Sequence, residues 1–274
     1  MINSKKEYFN MEDLDFGKVT ESEIIPEPVQ SANAFFHFVK HLKYLENFLL
    51  HKKLPIWYVK EDFRYLNLPN NIESIFIPMK CFCDINLHKL QSHMEYYGNY
   101  GIAFSKDWGI NQTFQPVHYV NEKSLLTKQY ISSFKAGFND SDSINDEIKN
   151  YLATDIMYMK PIIGYQKDVN NIEQKKYFLD ESEWRYIFDV SNIPECKPFY
   201  IGNNSNDMTN FNLALADENQ GLKFDYKDIK YIIINSEDEF LELVSKLKGI
   251  DLKENEMNLL ISKILIWEQS KGDF

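Results

Sequence analysis

Apolar and polar positions change their period repeatedly along this chain, and each change marks an element. Phe35-Phe36-His37-Phe38-Val39 has the composition of a short buried strand, and Leu42, Leu45, Phe48 and Leu49 then recur at helical spacing to about Lys53. Pro55 and the Asn70-Asn71 turn punctuate the next stretch, after which Ile72 to Cys83 reads as extended chain. Asp84 stands where it would cap a helix running from about Ile85 to Tyr96. Gly98 and Gly101 bracket a strand over Ile102-Ala103-Phe104-Ser105, and Pro116-Val117-His118-Tyr119-Val120 alternates with period two. From Glu122 to about Tyr158 the pattern is helical, with Ile144, Ile148, Leu152 and Ile156 on one face.

Strand character returns from Lys176 to Phe188 and in two apolar runs between Leu222 and Asn235, split at Asp228. Ser236 or Asp238 starts an amphipathic helix carrying Phe240, Leu243, Val244 and Leu247, and Asn258 to Trp267 reads as a closing helix. Irregular alternation of short strands and helices, without an internal repeat, predicts a single α+β domain over residues 32–274, with a helical insertion at about 122–158. Residues 1–31 carry seven acidic against three basic side chains and the extended Pro26-Glu27-Pro28 step, which predicts a strap or loop.

Hydrophobic residues make up 44% of the 274, enough to build a core, so a chain disordered throughout is excluded. The net charge of −11 argues against nucleic acid as the main partner, because such affinity comes from cations that neutralise phosphates. No run approaches the roughly 18 apolar residues of a membrane span, and the N-terminus lacks the apolar stretch of a secretory signal, so a cytoplasmic protein without a membrane partner is expected. Three cysteines fit reduced thiols better than a disulfide framework. Only Arg64 and Arg185 are arginines, against 30 − 2 = 28 lysines, so these two planar guanidinium groups mark positions where lysine would not serve.

The P-loop, Rossmann, hydrolase-elbow and zincin signatures are missing from the sequence. Cys81 and Cys83 are two positions apart and His88 and His93 lie about 140° apart around a helix, so buried thiols and ordinary histidines are expected there rather than zinc. Tyr96-Tyr97-Gly98-Asn99-Tyr100-Gly101 reads either as a helix cap entering a strand or as a tight turn presenting a tyrosine to a flat ligand. On a strand, Glu181, Glu183 and Arg185 share one face and Trp184, Tyr186 and Phe188 the other. That charged row is either a salt-bridged edge or apparatus for stabilising a developing cation. His37, among phenylalanines, bonds either a backbone group or a ligand hydroxyl.

Three blocks carry a family resemblance: Ile77 to Ile85, Tyr97-Gly98-Asn99-Tyr100-Gly101 continuing through Lys106-Asp107-Trp108-Gly109, and Pro116 to Val120. Together with Glu181-Ser182-Glu183-Trp184-Arg185 and Asp228 to Ile234, they make the chain resemble the AbiGi family of bacterial abortive-infection proteins, encoded beside a toxin and regarded as antitoxins. The resemblance implies a role in phage defence and a cognate toxin or defence-system partner. Phe36-His37-Phe38 leading into a Leu-rich helix is similar to the opening of DarT-like ADP-ribosyltransferases. That likeness implies a mixed, split β-sheet, NAD as the small molecule and no metal. His37 would hold a ribose, Tyr97 or Tyr100 would stack on nicotinamide, and Glu183 would orient the attacked ribose with Glu181 and Arg185 in support. A fold of this kind without catalysis, neutralising a toxin, is the alternative.

Overall fold

A computed structural model describes residues 30–139, 145–202, 205–216 and 220–271. The expected acidic strap therefore lies outside the described residues except for Gln30 and Ser31, as does Ile144. The chain opens with β1 (Ala34–Val39), α1 (Leu42–His51), β2 (Lys53–Leu54), β3 (Trp57–Asp62) and β4 (Ser74–Cys83). A second group holds α2 (Leu90–Tyr97), β5 (Tyr100–Ser105), α3 (Lys106–Asn111), β6 (Gln115–Pro116) and β7 (His118–Val120). The helical insertion forms as α4 (Leu125–Asn139) and α5 (Asp146–Met157), followed by β8 (Met159–Pro161), the hairpin β9 (Ile163–Lys167) and β10 (Glu173–Tyr177), and β11 (Glu183–Ile187). The rest comprises α6 (Ser205–Leu215), β12 (Leu222–Lys223), β13 (Ile229–Ile234), α7 (Glu237–Leu247), α8 (Glu254–Ile261), β14 (Ile264–Ile266) and α9 (Trp267–Ser270).

Eight strands form a mixed sheet in the order β14-β13-β5-β1-β4-β11-β6, with β3 also on β4; β14 runs parallel to β13 and the other pairings are antiparallel. The α+β expectation holds. The sheet is also open at its centre. Strand β1 pairs with β5 along its whole length, yet with β4 only at Phe36↔Cys83. Cys83 has Glu183 on its other side, and Met79 lies between Trp57 and Ile187. Strands β1 and β3 therefore share one edge of β4 and leave Lys80 to Phe82 unpaired on it.

Local chemistry explains most boundaries. Leu45, Phe48 and Leu49 bury the inner face of α1. At the start of α7, Ser236 Oγ accepts the Glu239 N–H and Glu239 Oε2 accepts the Ser236 N–H, closing a capping box. In the insertion, Leu152 and Ile156 pack against Tyr130 and Phe134, while Ile148 of the predicted stripe faces outward.

Three expectations are corrected. Asp84 caps no helix: a 3₁₀ turn at Leu87–Lys89 precedes α2, and the Asp84 carboxylate pairs instead with the Lys106 ammonium. The strand expected over 176–188 is broken by a 3₁₀ turn at Phe178–Glu181 and by Ser182 in the left-handed region, φ 43°. The closing helix expected over 258–267 is a helix to Ile261 and then β14, where Ile264 and Ile266 lie beside Ile232 and Ile234; β-branched side chains suit a pleated surface.

The largest core cluster lies on the sheet face carrying Phe35, Phe82 and Phe104, beneath α1, α3 and α7. Among the described residues no helix is long and apolar enough to cross a membrane.

Candidate functional site

The gap in the sheet opens into a cavity of about 650 Å³, lined by His37 and Phe38 from β1, Glu61 from β3, Cys81 from β4, Tyr97 at the end of α2, and both Glu181 and Glu183. Its size lies within the range of small-molecule sites. One wall of the cavity is strand β9, which pairs only with β10.

His37 occupies the unpaired stretch of β4. A continued register would set Cys81 opposite Phe38; instead the Cys81 carbonyl, 2.9 Å from His37 Nδ1, accepts the imidazole N–H. A carbonyl only accepts, so the proton sits on Nδ1 and Nε2 is left as an acceptor. Burial, with the nearby Lys80 ammonium, pushes His37 down to about 3, so the ring is neutral at physiological pH.

Opposite it runs a row of six buried or half-buried charges alternating in sign. Lys176 Nζ lies 2.6 Å from Glu181 Oε1, and Lys160 Nζ lies 2.6 Å from Glu181 Oε2 and 2.5 Å from Glu183 Oε2. Arg185 Nε is 2.7 Å from Glu183 Oε1, its NH2 group 2.8 Å from Glu61 Oε2, and its NH1 group 2.6 Å from the Met157 carbonyl. Three cations thus balance three carboxylates. Burial alone would push Glu183 up, but Arg185 and Lys160 hold it well below the usual carboxylate range, and Glu181 is lowered by Lys160 and Lys176. Lys160, which burial alone would lower, is held well above its ordinary value by the two glutamates. Both carboxylates are therefore fixed anions, able to accept hydrogen bonds or offset positive charge and unable to act as general acids at neutral pH.

Glu183 and Arg185 share one face of β11, whereas Glu181 reaches the row from the 3₁₀ turn and not from the strand, and Arg185 stands fully buried behind Glu183, off the cavity wall. Tyr97 reaches the cavity, its hydroxyl 2.5 Å from Glu181 Oε1 and its ring 4.4 Å from that of His93. Tyr100 does not. Gly101 lies within β5, paired to Phe38 and Ile233, rather than in a turn, so Tyr100 belongs to the opposite face and donates to Glu239 Oε1 at 2.6 Å. Arg64, the other arginine, pairs with Asp62 in a largely exposed bridge at the rim. Cys83 is buried and Cys81 half-buried, both are thiols whose ionisation desolvation pushes well up, and among the described residues no three His, Cys, Asp or Glu side chains gather as a metal site.

Sequence reasoning missed Lys160, Glu61, Tyr65 and His93. Lys160 had a signal: it is the one charged residue in the run Ile156 to Ile163, where an isolated cation calls for a buried partner.

The family model described as "Putative abortive phage resistance protein AbiGi, antitoxin" matches residues 52–235, a span that holds Glu61, Lys160 and the Glu181 to Arg185 row. The abortive phage resistance protein AbiGi of Lactococcus lactis subsp. cremoris is 32% identical, over 81% of this chain and 99% of that relative. No solved structure matches.

Proposed function

The chain belongs to the AbiGi family, and from that premise we propose that it serves abortive phage defence in the cytoplasm through a cleft that binds a nucleotide of the NAD class. The observation that carries this reading is the convergence of His37, Tyr97 and Glu183, far apart in the chain, on one cavity of about 650 Å³ at the gap in the sheet. Neutral His37 offers Nε2 to a ribose hydroxyl. A carboxylate oxygen accepts more than one hydrogen bond, so Glu183 Oε2 retains acceptor capacity beside Lys160 for the hydroxyl of a second ribose. The Tyr97 ring supplies an apolar surface for a flat heterocycle.

Cleavage of the bound nucleotide would need Glu183 to stabilise an oxocarbenium-like transition state. Lys160 opposes this, because its ammonium against the same carboxylate cancels the negative field that a developing cation would feel. The geometry thus favours binding over turnover, and it is this neutral, fully paired row of charges that favours the second reading, an antitoxin that neutralises a partner toxin and is regulated by the nucleotide. Calorimetric titration with NAD tests the cleft: binding by the wild type, weakened at least tenfold in His37→Ala, is expected, and no heat at millimolar NAD sinks the reading. Incubation with NAD then separates the two roles. Nicotinamide release abolished by Glu183→Gln would mark an enzyme, whereas co-purification with the neighbouring gene product without NAD loss would mark the antitoxin.

A further inference from the structure

One residue that lines the cavity carries a buried polar group without a partner in the free protein. The Tyr65 hydroxyl is buried and makes no hydrogen bond, whereas that of Tyr97, also at this wall, bonds Glu181. Buried hydroxyls nearly always have partners, because leaving one unsatisfied weakens the fold. Tyr65 cannot readily turn away to find one. Its residue lies in a 3₁₀ turn directly after β3, and its ring stacks on Phe63, which is completely buried, with centroids 5.9 Å apart and planes 28° apart.

Beside it, Glu61 has the complementary vacancy. Its Oε2 is taken by Arg185, and among the described residues its Oε1 makes no hydrogen bond although Glu61 also lines the cavity. Glu61 and Tyr65, four positions apart in the chain, line the same cavity, and after burial it is Glu61 that most raises the ionisation of the Tyr65 hydroxyl. A donor fixed beside an acceptor, next to charges of both signs, suits a neutral ligand edge with an acceptor next to an N–H donor. It suits neither a phosphate, which Glu61 would repel, nor an ammonium, which Arg185 and Lys160 would repel.

We propose that Tyr65 and Glu61 form the specificity-determining pair of this cleft, the Tyr65 hydroxyl donating to, and the free Glu61 oxygen accepting from, an amide-like edge of the bound nucleotide. Two parts of an NAD-class ligand carry that edge, the carboxamide of nicotinamide and the amino face of adenine. The inference rests on the nucleotide reading of the cleft.

Tyr65→Phe removes only the hydroxyl, and its effects on folding and on binding should have opposite signs. The free variant should melt at the wild-type temperature or above it, since it loses an unsatisfied polar group and no contact. Its affinity for NAD should fall about tenfold, the ordinary cost of one lost hydrogen bond in a buried site. Titration with nicotinamide mononucleotide and with ADP-ribose then identifies the edge: a loss confined to the first marks the carboxamide, and a loss confined to the second marks adenine. A variant that binds NAD as tightly as wild type overturns the pair and leaves the nucleotide reading standing. A lowered melting temperature also overturns it, because the hydroxyl would then be bonded within the free protein. Wild-type protein that fails to bind NAD overturns the inference together with the reading beneath it.

Discussion

Lys160 Nζ stands 2.5 Å from Glu183 Oε2, across 23 positions of sequence, and this contact holds the cleft's two buried carboxylates together. The same ammonium bonds Glu181, so its removal would leave two desolvated anions facing each other. Lys160→Met should therefore destabilise the protein by roughly 3–5 kcal/mol, the cost of breaking a buried pair from one side. The deficit should narrow as pH falls into the carboxyl range, since protonated glutamates no longer need the cation. Urea unfolding midpoints of variant and wild type at pH 7 and pH 4.5 check this; a deficit that does not change with pH would mean that Lys160 acts through packing.

His37 and His93 give the fold a sensitivity to mild acid. Burial, together with Lys80 in the case of His37, depresses each imidazole from its ordinary 6.5 to about 3. Below pH 6.5 the unfolded chain takes up two protons that the folded chain refuses, so stability falls as pH drops through that value. The slope is at most about 2.7 kcal/mol per pH unit for two such groups. Melting temperature should decline from pH 7 to pH 5, before the carboxylates titrate, and the decline should be about half as steep in His93→Phe. A flat profile over that range would show that the rings are accessible to protons in the folded state.

The sequence made the elements near the cleft more legible than the contacts that build it. The strand at Ala34–Val39, the Ser236 cap and the two faces of Glu183–Ile187 follow from neighbours a few residues apart, where period and capping chemistry act. Lys160 and Glu61 enter the site through partners up to 124 positions away, as in Arg185–Glu61, and no local period encodes such pairings. Tyr100 stays off the cavity for a definite reason: Gly101 reads as a turn residue, but it is a strand residue whose missing side chain admits the Phe38 ring, 2.7 Å from where a Cβ would stand, and this fixes the alternation that turns Tyr100 toward α7 and the main core. The closing apolar run 258–267 illustrates another limit, since a short run of this kind fits a buried strand as well as a helix until its neighbour is known.

Lys80 lies buried beside the gap with no carboxylate partner among the described residues; its ammonium has only the Phe48 ring, 5.9 Å away. Burial lowers it from 10.5 to about 8, so between those values the unfolded chain holds a proton that the folded chain has released. Stability should consequently rise with pH from about 8 to 10.5, against the general trend of proteins in alkali. Lys80→Met keeps the apolar stem and removes the desolvated charge, so it should stabilise the protein at pH 7 by about 1–3 kcal/mol and abolish that rise. A destabilised variant at pH 7 would reveal a partner for the ammonium and defeat the argument.

Gly98 couples the end of α2 to the cleft. Its backbone sits at φ 110° and ψ 169°, a region essentially closed to residues with a side chain, and its N–H closes the helix by donating to the Met94 carbonyl at 2.8 Å. A Cβ there would stand 2.4 Å from the Val39 carbonyl oxygen and 2.6 Å from the Lys40 Cα, both backbone atoms that cannot swing aside. Gly98→Ala must therefore push α2 away from the end of β1. Tyr97 is the residue directly before it, and its 2.5 Å bond to Glu181 requires α2 to stay in place. The variant should lose more than about 2 kcal/mol of stability. It should also lose the Tyr97–Glu181 bond, so that adding Tyr97→Phe costs little further, whereas Tyr97→Phe alone costs about 1.5–3 kcal/mol as a hydrogen bond to a charged group. A double-mutant cycle on unfolding free energies measures the coupling; strictly additive costs would show that Gly98 does not position Tyr97.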